Sequence, residues 1–151
     1  MIYKATKDDI REITEMAKRF EECTKYILVD VEYAIKKYET LFDAGLGHMF
    51  GMRIDGKVVG GLGCIKGDDL HYPRAILVET FWFVLPEYRG YGVKLLEAFE
   101  SLSRELKCDI RAMIHLEDSM PETLCQLYTD RGYELAEKHY VQSAGYPREE
   151  G

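Results

Sequence analysis

Between residues 84 and 94 the chain reads Val-Leu-Pro-Glu-Tyr-Arg-Gly-Tyr-Gly-Val-Lys. A long strand pattern from Arg74 to Leu85 stops at Pro86, Gly90 and Gly92 permit a tight turn, and a helical pattern opens at Val93. Amides at such a helix start have no intrahelical partner and sit at the positive end of the helix dipole. The turn therefore suits an anion such as a phosphate or pyrophosphate. Glycines remove side chains that would block its approach, and Arg89 or Lys94 would add favourable charge. Ordinary strand-to-helix turns also contain glycine, so the pair alone decides nothing. No Gly-Lys-Ser/Thr follows, which excludes a Walker A loop; a dinucleotide fingerprint would come earlier and carry a third glycine.

Other chemistry-bearing residues are more scattered. His115 falls at a strand end, where a structural role is the commoner one. His71 and Tyr72 lie in a loop before the long strand pattern, and Trp82 falls inside that pattern and reads as core. The cysteines at 23, 64, 108 and 125 form no C-x-x-C and no Cys/His cluster, so no metal site is expected. They read as small buried hydrophobes kept reduced.

The 151 residues suit one domain, 1–151, and a chain of this size buries roughly 70% of its unfolded surface. Hydrophobic residues are 46% and charged residues 31%, ordinary for a globular protein. Net charge is −7 with the basic residues dispersed among acids, which argues against a nucleic-acid partner. The start Met1-Ile2-Tyr3-Lys4 runs directly into charged sequence, and the most apolar run is too short to span a bilayer and contains Glu79. No membrane anchor and a cytoplasmic location are expected.

The elements that must position these residues follow from periodicity. Ile2 to Ala5 reads as a short strand. Thr6 or Asp8 caps a helix reaching about Cys23, with Ile10, Ile13, Ala17 and Phe20 on its buried stripe. A second helix starts near Asp30, shows Val31, Ala34, Ile35, Tyr38, Leu41 and Phe42 on its apolar face, and ends at Gly45. His48 to Ile54 and Lys57 to Lys66 flank the hairpin pair Asp55-Gly56. After the strand from Arg74 to Leu85, a helix runs to about Lys107 with Val93, Leu96, Phe99, Leu102 and Leu106 inward. Asp109 to His115 forms a strand, Pro121 to Gly132 a helix, and about Tyr133 to Gln142 a last strand. The tail from Ser143 to Gly151 is expected to fray. The order β-α-α-β-β-β-α-β-α-β describes an α/β fold on a mixed sheet.

Residues 84–94 resemble the acetyl-CoA pyrophosphate loop of the GNAT acetyltransferases, which commonly reads Val-x-Pro-Glu-Tyr-Arg-Gly-x-Gly-x-Gly. Leu127-Tyr128-Thr129-Asp130-Arg131-Gly132-Tyr133 is similar to that family's Leu/Phe-Tyr-x-x-x-Gly-Phe signature. The element order matches over nearly the whole chain. One departure stands in the loop. Counted from Arg89, the family's final small residue falls on Lys94. Alternatively Gly90 and Gly92 are the family's glycines and the loop is two residues short. The second alignment is preferred, because Val93-Lys94-Leu95-Leu96 then continues as the usual helix.

The resemblance implies an N-acetyltransferase that moves an acetyl group from acetyl-CoA to a primary amine by direct attack, with no metal. The pantetheine arm would pair with the backbone around Phe83, Val84 and Leu85, and the pyrophosphate would lie on the amides of Arg89, Gly90, Tyr91, Gly92, Val93 and Lys94. A lysine-like amine has a pKa of roughly 10.4, so a base is needed. Histone-type members carry a glutamate near Glu79, although the spacing to Val84 is one residue off, and one residue in a strand changes the face. The alternative is a Glu79 carboxylate paired with Arg74 or Arg111. Tyr128 matches the tyrosine that protonates the departing thiolate; otherwise it is an amphipathic core residue. Many relatives place an asparagine where Glu117-Asp118-Ser119 stands, and none is present. Phe20 to Val29 would shape the pocket for a small-molecule or peptide amine, and Glu21 and Glu22 either attract that amine or merely solvate a helix end. The resemblance leaves a homodimer open. A rival reading is a GNAT-fold module that binds acyl-CoA without catalysis.

Overall fold

The computed structural model describes residues 1–116 and 119–145. Five strands form one sheet in sequence order: β1 (Ile2–Lys4), β2 (Gly47–Ile54), β3 (Lys57–Asp68), β4 (Ala75–Val84) and β5 (Ile110–Ala112). The first four are antiparallel and β5 joins β4 in parallel. The helices are α1 (Ile10–Ala17), α2 (Val31–Asp43), α3 (Val93–Glu105) and α4 (Pro121–Asp130). Parallel neighbours need a crossover, and α3 supplies it between β4 and β5.

Each boundary has a local cause. The Asp30 carboxylate accepts from Tyr33 N at 3.0 Å and starts α2. Asp55 and Gly56 both take positive φ, as the two-residue hairpin between β2 and β3 requires. The first helix ends sooner than its periodicity predicts. Lys18–Glu22 tighten into a 3-10 turn, and the Glu21 carboxylate leaves the helix surface to accept from Val29 N at 2.7 Å and Lys18 Nζ at 2.9 Å.

The sheet divides the core into two layers. On one face lie α1 and α2; a side chain at Gly61 would collide with Ile13 of α1 and Phe81 of β4. On the other face lies α3, where Ser103 accepts from Arg111 of β5 at 2.9 Å. Ile10, Ile13, Met49, Leu62, Leu77, Leu95, Leu96 and Phe99 are sealed from solvent. The predicted stripe of α1 is buried throughout, whereas on α2 only Ile35 is fully so.

Two further expected elements differ. Among the described residues no strand follows α4: Tyr133 to Gln142 makes no ladder, and Leu135, Tyr140 and Val141 are exposed. The segment carries Glu134, Glu137, Lys138 and His139 in place of sustained apolar alternation, and β5 offers an edge of only three residues. The second difference is β5 itself, which leaves the sheet after Ala112 instead of continuing to His115. Its next backbone groups are used elsewhere, and this opens a cleft. Of the tail expected to fray, residues 146–151 lie outside the described residues.

Candidate active site

The pairing of β4 with β5 ends at Val78 and Ala112. From Glu79 to Val84, β4 has no strand on that side among the described residues, and a cleft of roughly 260 Å³ opens there. Its walls come from β4, the start of α3, residues 114–116 and 119–128, and the segment after α1. Unpaired backbone along a strand edge is a surface on which an extended ligand arm can add like another strand.

A bulge decides which β4 side chains face which layer. Across β3, Gly63 pairs with Phe81 but Cys64 pairs with Glu79, so Thr80 is the extra residue. Directly paired residues share a face. Glu79 therefore lies on the face of Cys64, Leu62 and Trp82, while Phe81 lies on the face of Gly63 and Gly61. Strict alternation would have put Glu79 beside Phe81 and Phe83. The bulge accounts for the spacing that is one residue off.

Glu79 is 5% exposed and has no cationic partner among the described residues. Both arginines expected as partners are engaged elsewhere: Arg74 donates to Asp69 at 2.7 Å and Arg111 to Ser103. Among the described residues, the one bond Glu79 receives comes from Ile114 N at 3.4 Å. Burial drives its carboxyl up to about 8, and the Ile114 amide opposes this only weakly.

Tyr128 projects from α4 into the same space. It is 8% exposed, its hydroxyl donates to Ile114 O at 2.9 Å, and its ring lies 6.2 Å from Trp82 and 5.6 Å from Tyr133. Burial, then the nearby Glu79 and Tyr133, push the phenol well above its ordinary value, so it stays protonated. Ile114 thus presents its amide to Glu79 and its carbonyl to Tyr128, which explains why β5 ends before it. Below this pair, Arg131 and Tyr133 both donate to the Glu100 carboxylate and lock the end of α4 onto α3.

At the other end of the cleft, Gly90 takes φ +111°, a conformation other residues rarely adopt. Gly92 lets α3 start close against β4, since a side-chain carbon there would stand 3.2 Å from a Val84 methyl. The amides of Gly90, Tyr91, Gly92 and Val93 take no partner among the described residues, whereas those of Arg89, Lys94 and Leu95 are bonded locally. Free amides at the head of a 13-residue helix are groups of the kind that can hold an anion.

The expected cofactor residues sort accordingly. Phe83, Val84, Arg89, Gly90, Gly92 and Val93 line the cleft together with Glu79 and Tyr128. Leu85 does not; it is 2% exposed and its amide is bonded to Val59 O at 2.8 Å. Tyr91 and Lys94 lie outside the lining, with exposed side chains. The Arg89 guanidinium reaches across the mouth of the cleft to Met120 Sδ at 3.1 Å and Cys23 Sγ at 3.6 Å.

Phe20 and Ile27 line the cleft from the segment expected to shape an acceptor pocket. Glu21 is bonded internally to Val29 N and Lys18, whereas Glu22 is exposed and lies 3.7 Å from Arg19. His71 sits in an exposed turn held by Asp69. Glu117 and Asp118, at the position of the family asparagine, lie outside the described residues. Thr80 and Ile114 were not anticipated: Ile114 acts through its backbone, which leaves no trace in residue type, and Thr80 matters only through the bulge. Trp82, read as core, lines the cleft.

No group of three or more His, Cys, Asp or Glu side chains that could hold a metal occurs among the described residues. No helix among them is long and apolar enough to cross a membrane.

The profile of the acetyltransferase (GNAT) family matches residues 9–133. No curated protein matches the sequence. Solved structures with the same fold include an aminoglycoside acetyltransferase from an uncultured soil metagenomic sample, at TM-score 0.74 and 14% identity over 96% of this chain and 98% of that one. A ribosomal-protein-alanine N-acetyltransferase from Brucella melitensis biovar Abortus 2308 has TM-score 0.72 and 19% identity over 95% and 97%. A predicted acetyltransferase from Clostridium acetobutylicum, solved with acetyl-CoA, has TM-score 0.74 and 13% identity over 95% of both chains.

Proposed function

The chain belongs to the acetyltransferase (GNAT) family, and from that membership we propose that it is a single-domain N-acetyltransferase that carries an acetyl group from acetyl-CoA to a primary amine within a ternary complex. The observation that carries the reading is the convergence on Ile114. A buried carboxyl pushed up to about 8 and a buried, protonated phenol meet at the backbone of one residue, at the end of a cleft that begins at four free amides.

The chemistry follows from those groups. The pyrophosphate of acetyl-CoA rests on the amides of Gly90 to Val93, and its pantetheine arm runs along the unpaired edge of β4 toward Glu79. An ammonium acceptor gives up its proton to the Glu79 carboxylate, directly or through a water. A base titrating near 8 is better matched to an amine than an ordinary carboxylate is. The freed nitrogen lone pair attacks the thioester carbonyl carbon. As the tetrahedral adduct collapses, the C–S bond breaks and the sulfur takes the Tyr128 hydroxyl proton. The attacking nitrogen sheds its second proton, which through solvent restores the Tyr128 hydroxyl, and Glu79 releases the first proton to solvent, so both groups return to their starting states.

The structural relatives include enzymes named for aminoglycosides and for a ribosomal-protein alanine, so the acceptors to screen are small polyamines, amino sugars and peptide amino termini. The test is acetyl transfer from acetyl-CoA to such a panel, read by mass spectrometry, with Glu79→Gln and Tyr128→Phe beside the wild type. Acetylated product that falls at least tenfold in both variants supports the reading. Tight acetyl-CoA binding with no product from any amine would favour the non-catalytic module.

A further inference from the structure

The bulge that brings Glu79 into the cleft is held from the opposite face of the sheet. Thr80, the residue left without a strand partner, has its Oγ1 2.7 Å from the hydroxyl of Tyr38 on α2. The Tyr38 ring also meets Phe81 edge-on, with centroids 6.3 Å apart. These side chains gather over Gly63, where any added carbon would come within 2.7 Å of Phe81 and Thr80 Oγ1. Burial raises the Tyr38 phenol above its ordinary value, so it keeps its proton across the neutral range and remains able to bond Thr80.

We propose that Tyr38 is a positioning residue that, through Thr80 and the space left by Gly63, pins the β4 bulge and thereby fixes Glu79 in the cleft. The inference rests on Glu79 being the base, as read above. The reason is geometric. A strand with a bulge has a competing regular register, and a slip of one residue would turn Glu79 toward α1 and α2 beside Phe81. The hydroxyl pair at 2.7 Å belongs to the bulged arrangement, because the regular register would turn Thr80 to the other face. The pin also links the two sides of the proposed reaction. α2 is the helix entered from the segment that supplies Ile27 to the cleft wall, so the element beside the acceptor pocket also sets the base.

The groups that face Glu79 are few. Cys64 pairs with it from β3 and Tyr128 approaches from α4, while Tyr38 of α2 lies on the opposite face of the sheet and feels it only through the strand; none of these is a cation. Its proton affinity therefore reports its burial, and burial depends on the bulge. Releasing the pin should admit water and return the carboxyl toward the ordinary range.

The experiment is a titration of the Glu79 side-chain carboxyl by carbon-13 NMR in the full chain, for wild type, Tyr38→Phe, Thr80→Val and Thr80→Ser. Folding of each is checked by its thermal transition. The wild-type midpoint should lie near 8. In Tyr38→Phe and Thr80→Val it should fall by at least one pH unit, a tenfold loss of proton affinity, and Thr80→Ser, which keeps the hydroxyl, should restore it. A purely structural role would lower the thermal transition while leaving the midpoint in place, and that result overturns the proposal. Should Tyr38→Phe fail to fold, Thr80→Val against Thr80→Ser decides the matter alone. The outcome is separable from the reading of Glu79 as base, which fails if Glu79→Gln keeps full transfer activity whatever the titration shows.

Discussion

Replacing Glu79 by Gln should make the protein relatively more stable as the solution becomes alkaline. The carboxyl titrates at about 8 in the folded chain against an ordinary 4.5, with burial as the main cause and no cation to offset it. Between those values the folded state binds a proton that the unfolded state has released. Its contribution to stability is therefore fully present below about 4.5 and is lost as pH rises through 8. At roughly 1.4 kcal/mol for each pH unit, the whole interval corresponds to on the order of 5 kcal/mol. Gln fills similar space and cannot ionise, so it escapes that loss. The assay is urea unfolding of both proteins from pH 4.5 to 9, taking the difference in stability at each pH so that all other ionisable groups cancel. The difference should climb in favour of Gln at about 1.4 kcal/mol per pH unit and level off above 8. A flat difference, or one that changes only below pH 5.5, would mean that Glu79 is solvated or paired and would refute the argument.

Tyr128→Phe should lower kcat by about 10- to 100-fold with acetyl-CoA affinity nearly unchanged, because the hydroxyl acts on the leaving sulfur and not on the free amides at the head of α3; steady-state kinetics with isothermal binding checks the split. Arg131→Ala should cost about 2 kcal/mol in urea unfolding by stripping the charged partner from Glu100, which is nearly buried. Burial acts to raise the Glu100 carboxyl, but Arg131 and Tyr133 prevail and hold it below its ordinary value. The stability that Arg131 confers should therefore be present above about pH 4.5 and fade as pH falls below it. Phe99→Ala, in the sealed interior between α3 and the sheet, should cost about 3 to 5 kcal/mol, read from the same unfolding curves.

Much of this arrangement can be read from the residues themselves, because apolar periodicity and turn chemistry act locally. Ile10, Ile13, Ala17 and Phe20 mark a buried stripe, Asp55-Gly56 a hairpin, and Gly90 and Gly92 an anion-ready helix start, each within a few residues of the feature it produces. What escapes such a reading depends on partners distant in sequence. The bulge at Thr80 is settled by Gly63 on β3 and Tyr38 on α2, so neighbouring residues leave the face of Glu79 undecided. Ile114 matters through its amide and carbonyl, which every residue but proline possesses. Arg89 reads as a phosphate ligand from its place in the loop, yet its guanidinium lies against two sulfur atoms across the cleft mouth. The expected strand from Tyr133 to Gln142 rested on position more than on alternation, and no ladder forms there among the described residues.

Acetyl-CoA binding in the proposed mode requires the head of α3 to hold its pyrophosphate. Calorimetric titration of acetyl-CoA into the wild type, Gly92→Ala and Gly92→Asp addresses this directly. Both variants place the same carbon near Val84, and only aspartate adds a negative charge beside the free amides. Binding in the micromolar range that Gly92→Ala retains within a few-fold, and that Gly92→Asp weakens by at least tenfold, is the predicted result. Equal binding by all three proteins, or none in the wild type at millimolar acetyl-CoA, would contradict it.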